Sequence, residues 1–184
     1  MRNWEKNVRK VVPYVPGEQP KEENIIKLNT NENPYPPAPG VKLALQGLQE
    51  EHLKKYPDPA ATQLVEALAD RYGVKPEQVF VGVGSDDVLA MAFLTFFNGE
   101  EPVLFPDITY SFYDVWAELF RIPYVQLPLD GHFRIRPEEY FAANRKNGGV
   151  IFPNPNAPTG LELAPDAVEQ IVRENPDVVV IVDE

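Results

Sequence analysis

VFVGVGSDDVLAMAFLTFFNGEEPVLFPDITYSFYDVWAELFRIPYVQL, residues 79–127, alternates short apolar runs with longer amphipathic ones. Val79–Val83, Pro102–Phe105 and Tyr124–Leu127 have the length and composition of strands. Asp86–Phe97, stopped by Gly99, and Ser111–Phe120 carry helical spacing. Strands that are apolar throughout, separated by helices, belong to a parallel sheet covered on both faces. The alternation continues with a helix at Pro137–Lys146, a strand at Val150–Phe152, a helix at Pro165–Glu174 and a strand at Val178–Val182. The predicted fold class is α/β, a three-layer αβα arrangement around a mainly parallel central sheet.

Towards the amino terminus the pattern changes. Residues 1–24 read as a polar, proline-rich arm with isolated apolar anchors at Trp4, Val8, Val11, Val12 and Tyr14. A short strand is predicted at Ile25–Leu28, then a loop at 29–39. Val41, Leu45 and Leu48 predict one amphipathic helix over Val41–Leu53, broken by Tyr56-Pro57-Asp58-Pro59. Asp58 is expected to cap the next helix with Pro59 in its first turn; Leu64, Leu68 and Tyr72 share a face, and Gly73 ends it. The domain division that follows is an arm and loop over 1–39 and the first part of a larger domain over 40–184. The most apolar strand, VVVIV at 178–182, is followed by two residues only. Open α/β sheets place ligands at the carboxyl ends of their strands, so the chain is expected to be truncated, the first part of a longer one.

Composition narrows the chemistry. The 184 residues include 17 basic and 28 acidic ones, a net charge of −11, which disfavours a nucleic-acid partner. A hydrophobic share of 43% is enough to build a core. With no cysteine, disulfides, thiol catalysis and cysteine metal sites are excluded, and two distant histidines, His52 and His132, make no metal pair. No apolar run is long enough for a membrane span or a signal peptide, so a cytoplasmic protein is expected. The 20 prolines cluster in loops and at element starts, as loop punctuation does.

Four strand ends offer chemistry. Gly82-Val83-Gly84-Ser85-Asp86-Asp87 lies between strand and helix, where backbone amides can receive a phosphate; an ordinary capped turn reads equally well. It lacks the third glycine of a dinucleotide fingerprint, the lysine of a Walker loop and both flanking glycines of a nucleophile elbow at Ser85. Asn154-Pro155-Asn156-Ala157-Pro158-Thr159-Gly160 is either an Asx/Pro turn or a rigid mount for two amides. Asp183 ends the last buried strand, as a cap or as the partner of a cationic ligand group. Tyr110, in Pro106-Asp107-Ile108-Thr109-Tyr110, is packing or a stacking platform. Taken together, the four match the needs of pyridoxal phosphate: a phosphate, a flat ring, a phenolic oxygen and a ring nitrogen kept protonated.

In LNTNENPY (28–35), KYPD (55–58), GVGSDD (82–87), PDITYSFY (106–113), NPNAPTG (154–160) and VIVDE (181–184), the chain resembles the class I/II aminotransferases, pyridoxal-phosphate enzymes of fold-type I. LNTNENPY followed by KYPD points to their histidinol-phosphate branch. The resemblance implies pyridoxal 5'-phosphate as cofactor, with its phosphate held by Gly84, Ser85 and Asp86. It implies Tyr110 stacked on the ring and Asp183 on the ring nitrogen. Tyr56 would reach the cofactor phosphate of the neighbouring subunit, which makes the protein a homodimer with a shared active site. Asn33 and Tyr35 would line the substrate pocket. The implied reaction is transamination of L-histidinol phosphate with 2-oxoglutarate, a step of histidine biosynthesis.

Two positions depart from the family pattern. The asparagine that donates to the cofactor's phenolic oxygen is replaced by Ala157, and Asn156 is the expected substitute. The Schiff-base lysine follows a serine in this family; serine occurs here only at 85 and 111, neither before a lysine, so the catalytic lysine is expected beyond residue 184 and this chain to be inactive alone. The carboxylate-binding arginine is expected there too. Alternative readings are an aromatic amino acid aminotransferase, a threonine-phosphate decarboxylase, and a non-catalytic binding or regulatory protein on the same fold.

Overall fold

The computed structural model describes residues 2–15, 17–18, 20–21 and 25–184; residues 1, 16, 19 and 22–24 of the predicted arm lie outside the described residues. The chain divides into two compact units, Val15–Val81, and Met1–Tyr14 together with Gly82–Glu184.

The first unit carries three helices, α1 (Pro39–Gln46), α2 (Glu50–Leu53) and α3 (Thr62–Tyr72). The single helix predicted over Val41–Leu53 is thus two. Gly47 closes α1 by donating its N–H to the Leu43 carbonyl, and the backbone is extended again at Gln49. Short helices persist on the apolar face they bury, and neither α1 nor α2 has a buried residue to outweigh the cost of a mid-helix glycine. Asp58 does accept amide hydrogens, from Ala60 at 3.0 Å and Thr62 at 2.8 Å, but α3 begins at Thr62 rather than beside Pro59. Gly73 ends α3 in the left-handed conformation, as predicted. The strand predicted at Ile25–Leu28 does not form; Ile26 and Leu28 are exposed and the segment has no ladder partner among the described residues.

The second unit holds α4 (Ser85–Phe96), β1 (Val103–Pro106), α5 (Tyr113–Phe120), β2 (Tyr124–Leu127), β3 (Gly149–Pro153), α6 (Pro165–Arg173) and β4 (Val180–Asp183). The strands form one parallel sheet in the order β2-β1-β3-β4. Alternate residues of each strand face opposite ways, and both faces are covered. Val103, Phe105, Ile151 and Ile181 pack with Leu89 and Phe93 of α4 and Tyr113 and Ala117 of α5. Leu104, Val150, Phe152, Val180 and Val182 pack with Val168 and Ile171 of α6 and with Tyr140. Three layers result, as the uninterrupted apolar runs predicted.

Two predicted elements in this part of the chain are corrected. Val79–Val83 is not a strand: it has no partner in the sheet, and Phe80 and Val83 are 67% and 89% exposed. An apolar run becomes a strand only when its backbone is brought alongside a partner that takes its hydrogen bonds. Pro137–Lys146 forms only a 3-10 turn, Pro137–Tyr140. The Asn144 side chain donates to the Glu138 carbonyl at 2.8 Å, and the Ala142 amide goes instead to the Glu174 carbonyl at the end of α6. With those groups taken, the helix cannot propagate.

Gly149 opens β3 where a Cβ would overlap the buried Phe97 ring. Gly149→Ala is expected to cost about 1–3 kcal/mol through forced repacking, read as a lower denaturant midpoint at unchanged m-value.

Candidate active site

The sheet order locates a crevice. From β1 the chain runs through α5 to β2 on one side, and from β3 through α6 to β4 on the other. Because α5 and α6 cover opposite faces, the loops leaving β1 and β3 part from one another at the carboxyl ends of adjacent strands. That divergence is the topological switch point at which open α/β sheets bind ligands.

Three segments meet at this edge. In the loop after β1, Tyr110 donates its hydroxyl to Asp86 Oδ1 at 2.7 Å, which ties it to the start of α4. One turn on, Tyr113 donates to Asp183 Oδ2 at 2.8 Å at the end of β4. The two tyrosine rings meet edge to face with centroids 5.7 Å apart. Thr109 donates to Asn156 Oδ1 at 3.0 Å, and Asn156 donates to the Ile108 carbonyl at 3.0 Å and to Thr159 Oγ1 at 3.1 Å. The structure thus brings Gly84, Ser85, Asp86, Tyr110, Asn156 and Asp183 to one edge. Asn33, Tyr35 and Tyr56 belong to the other unit. There Asn33 Oδ1 accepts the Tyr35 amide at 2.9 Å, Tyr35 is exposed and Tyr56 is 100% exposed.

The amino end of α4 is open. Gly84 precedes it at φ +86 with free space where a side chain would project, and no side chain caps the helix. Among the described residues, no acceptor meets the backbone N–H groups of Ser85, Asp86 or Asp87. Uncapped amides at the positive end of a helix dipole suit an anion. Asp183 is the complementary feature: a strand-end carboxylate that joins no ion pair among the described residues. It can receive a cationic N–H.

Asn156 is spent. It is 2% exposed, and both its amide hydrogens go to protein acceptors, so its side chain joins two loops and has no hydrogen left for a ligand oxygen. Ala157, beside it, is exposed.

Two participants escaped the sequence reading, Thr109 and Tyr113. Tyr113 stands three residues after Tyr110 at the start of a predicted helix, a spacing that puts both on one face and was the available signal. Burial first, then the Asp86 hydrogen bond and charge, push the Tyr110 phenol well above the ordinary tyrosine range. Burial first, then the charge of Asp183, do the same at Tyr113. The buried Tyr140 is raised too, chiefly by burial. In each case the folded state holds the proton more tightly than the unfolded chain. The stabilisation is complete below the unfolded value near 10 and is lost as pH rises above it. A tyrosinate absorbance titration should find these three phenols silent at about pH 11 and ionising together on alkaline unfolding.

Among the described residues no cluster of His, Asp or Glu could hold a metal ion, and no helix is long and apolar enough to cross a membrane. Histidinol-phosphate aminotransferase 1 of Hydrogenovibrio crunogenus is 53% identical over 181 residues, 98% of this chain and 50% of that protein. Histidinol-phosphate aminotransferase 2 of Dechloromonas aromatica is 54% identical over 186 residues, 100% of this chain and 52% of that protein. The chain spans about half the length of these curated relatives. The crystal structure of histidinol-phosphate aminotransferase from Sinorhizobium meliloti in complex with pyridoxal-5'-phosphate superposes with a TM-score of 0.75 at 25% identity, over 84% of this chain and 42% of that one. The family model for class I and II aminotransferases matches residues 23–184, every segment of the strand-end cluster included, and the chain belongs to that family.

Proposed function

We propose that this chain is the first part of a pyridoxal-phosphate aminotransferase that moves an amino group between L-histidinol phosphate and 2-oxoglutarate. The observation that carries the reading is identity of 53–54% to named histidinol-phosphate aminotransferases along essentially the whole chain. The residues present fit the cofactor: open amides at α4 for a phosphate, an unpaired carboxylate for a protonated ring nitrogen, and an aromatic face between them in sequence.

When bound, pyridoxal phosphate supplies an electron-poor ring that takes up the electron pair left by the departing α-proton of the substrate. In this reading the amides of Gly84, Ser85 and Asp86 hold the phosphate, with the Asp86 carboxylate turned to Tyr110. Tyr110 stacks on the ring, its orientation set by that hydrogen bond. Asp183 keeps the ring nitrogen protonated by accepting its hydrogen. Asn156 holds the loops in place instead of donating to the phenolic oxygen. Asn33 and Tyr35 line the substrate pocket, and Tyr56 reaches the phosphate of the other subunit in a cytoplasmic homodimer. Residues 1–39 act as arm and pocket-lining loop, and 40–184 as the first part of the cofactor-binding domain. The anchoring lysine and the carboxylate-binding arginine belong to the remainder of the full-length protein.

The test is turnover by the full-length, cofactor-loaded protein. Glutamate formed from 2-oxoglutarate with histidinol phosphate as donor is the expected result. Preferred transfer from aromatic amino acids, or carbon dioxide released from threonine phosphate without transfer, would replace the substrate assignment. Cofactor binding with no amino transfer from any donor would replace catalysis with binding.

A further inference from the structure

We infer that Tyr113 is a positioning residue that fixes the Asp183 carboxylate for its ligand; the inference rests on the cofactor reading above. Tyr113 is fully buried. Its ring is held by Phe93 with centroids 6.4 Å apart, by Phe105 at 5.8 Å and by Tyr110 at 5.7 Å. A ring packed on three sides has one direction in which to place its hydroxyl, and that hydroxyl meets Asp183 Oδ2 at 2.8 Å.

The backbone of Asp183 is fixed as well, paired with Pro153 and accepting the Asn154 amide at 2.8 Å. Its side-chain torsions are the remaining freedom, and the Tyr113 hydrogen bond removes it. Among the described residues no donor meets the other oxygen, Oδ1. One oxygen is therefore held while the other is left to accept. Burial and the charge of Asp183 keep the phenol protonated, so the hydroxyl can only donate to the carboxylate. A tyrosine serving as core filler alone would leave its hydroxyl no task, and burying a hydroxyl is costly unless it is bonded.

The test uses the full-length holoenzyme and Tyr113→Phe, which keeps every ring contact and removes one oxygen. Cofactor affinity is measured by equilibrium dialysis, and the visible absorbance of bound pyridoxal phosphate is titrated with pH. Both are repeated in an Asp183→Ala background, which removes the acceptor, with thermal melting as a control. The expected result is cofactor affinity weakened about 3- to 10-fold and a shifted absorbance midpoint, at a melting temperature within a few degrees of the parent. In the Asp183→Ala background the same substitution should change neither. Parental affinity and titration in Tyr113→Phe would overturn the inference, as would an equal change in both backgrounds, which would mean the hydroxyl acts through packing. A parent protein that binds no pyridoxal phosphate would overturn the cofactor reading itself, a separate outcome.

Discussion

Asp183→Ala is expected to lower kcat for amino-group transfer in the full-length protein by about 100- to 1,000-fold, the scale seen when one preorganised electrostatic partner is removed from an active site. Asp183 is the last residue of β4, paired in register with Pro153, so its position is set by the sheet and survives loss of the side chain. On the proposed reading, what is lost is the negative charge that would face the ring nitrogen. On that reading the ring would have no partner to keep it protonated, and stabilisation would be weakest where charge develops in the transition state. The effect therefore falls on kcat more than on KM. Asp183→Asn separates the two contributions: the amide retains shape and an acceptor for Tyr113 but carries no charge, so a loss close to that of alanine would assign the effect to charge. Steady-state kinetics at saturating cofactor decides the matter. Turnover within about threefold of the parent would defeat the role given to Asp183.

Asn156→Ala is expected to destabilise the fold by about 1–3 kcal/mol, from the loss of three hydrogen bonds that a buried side chain makes to partners at the surface. Its side chain bonds Thr109 Oγ1, the Ile108 carbonyl and Thr159 Oγ1, linking the loop after β1 to the loop after β3 across the switch point. Truncation removes all three bonds at once, and with them the link between the loops. Ala157→Asn, which restores the residue usual in the family at an exposed position, should change stability by no more than about 0.5 kcal/mol. Thermal or denaturant melting of both variants compares adjacent residues with opposite expectations. An Asn156→Ala protein as stable as its parent would show that the two loops hold together without the clamp.

Neither expectation could be drawn from the sequence alone. NPNAPTG shows two asparagines and an alanine where the family has a third asparagine, and the natural reading passes the cofactor contact to Asn156. Two of the three partners that occupy Asn156 lie 47 and 48 residues earlier, on a different strand's loop. The same holds for Tyr113, whose partner Asp183 is 70 residues away. Tyr110 was legible as an aromatic at a strand end, but the bond that orients it, to a carboxylate in the first turn of α4, was not.

Four of the six predicted strands, all in the second unit, form within two residues of their predicted limits, because a sheet covered on both faces draws apolar residues to most strand positions, fully in β1 and β3, and so writes itself into composition. Family and parallel architecture were set at the same level, by ordered motifs and by strands alternating with helices. Three-dimensional packing decided the rest. Residues 79–83 have the composition of a strand but pair with no strand of the sheet, Pro137–Lys146 lost its helix to an amide drawn off by Glu174, and Val41–Leu53 broke at a glycine with no buried face to hold it together. Periodicity records which side of an element is apolar, a local property. Hydrogen bonds are settled by which group arrives within reach, and that depends on the whole path of the chain.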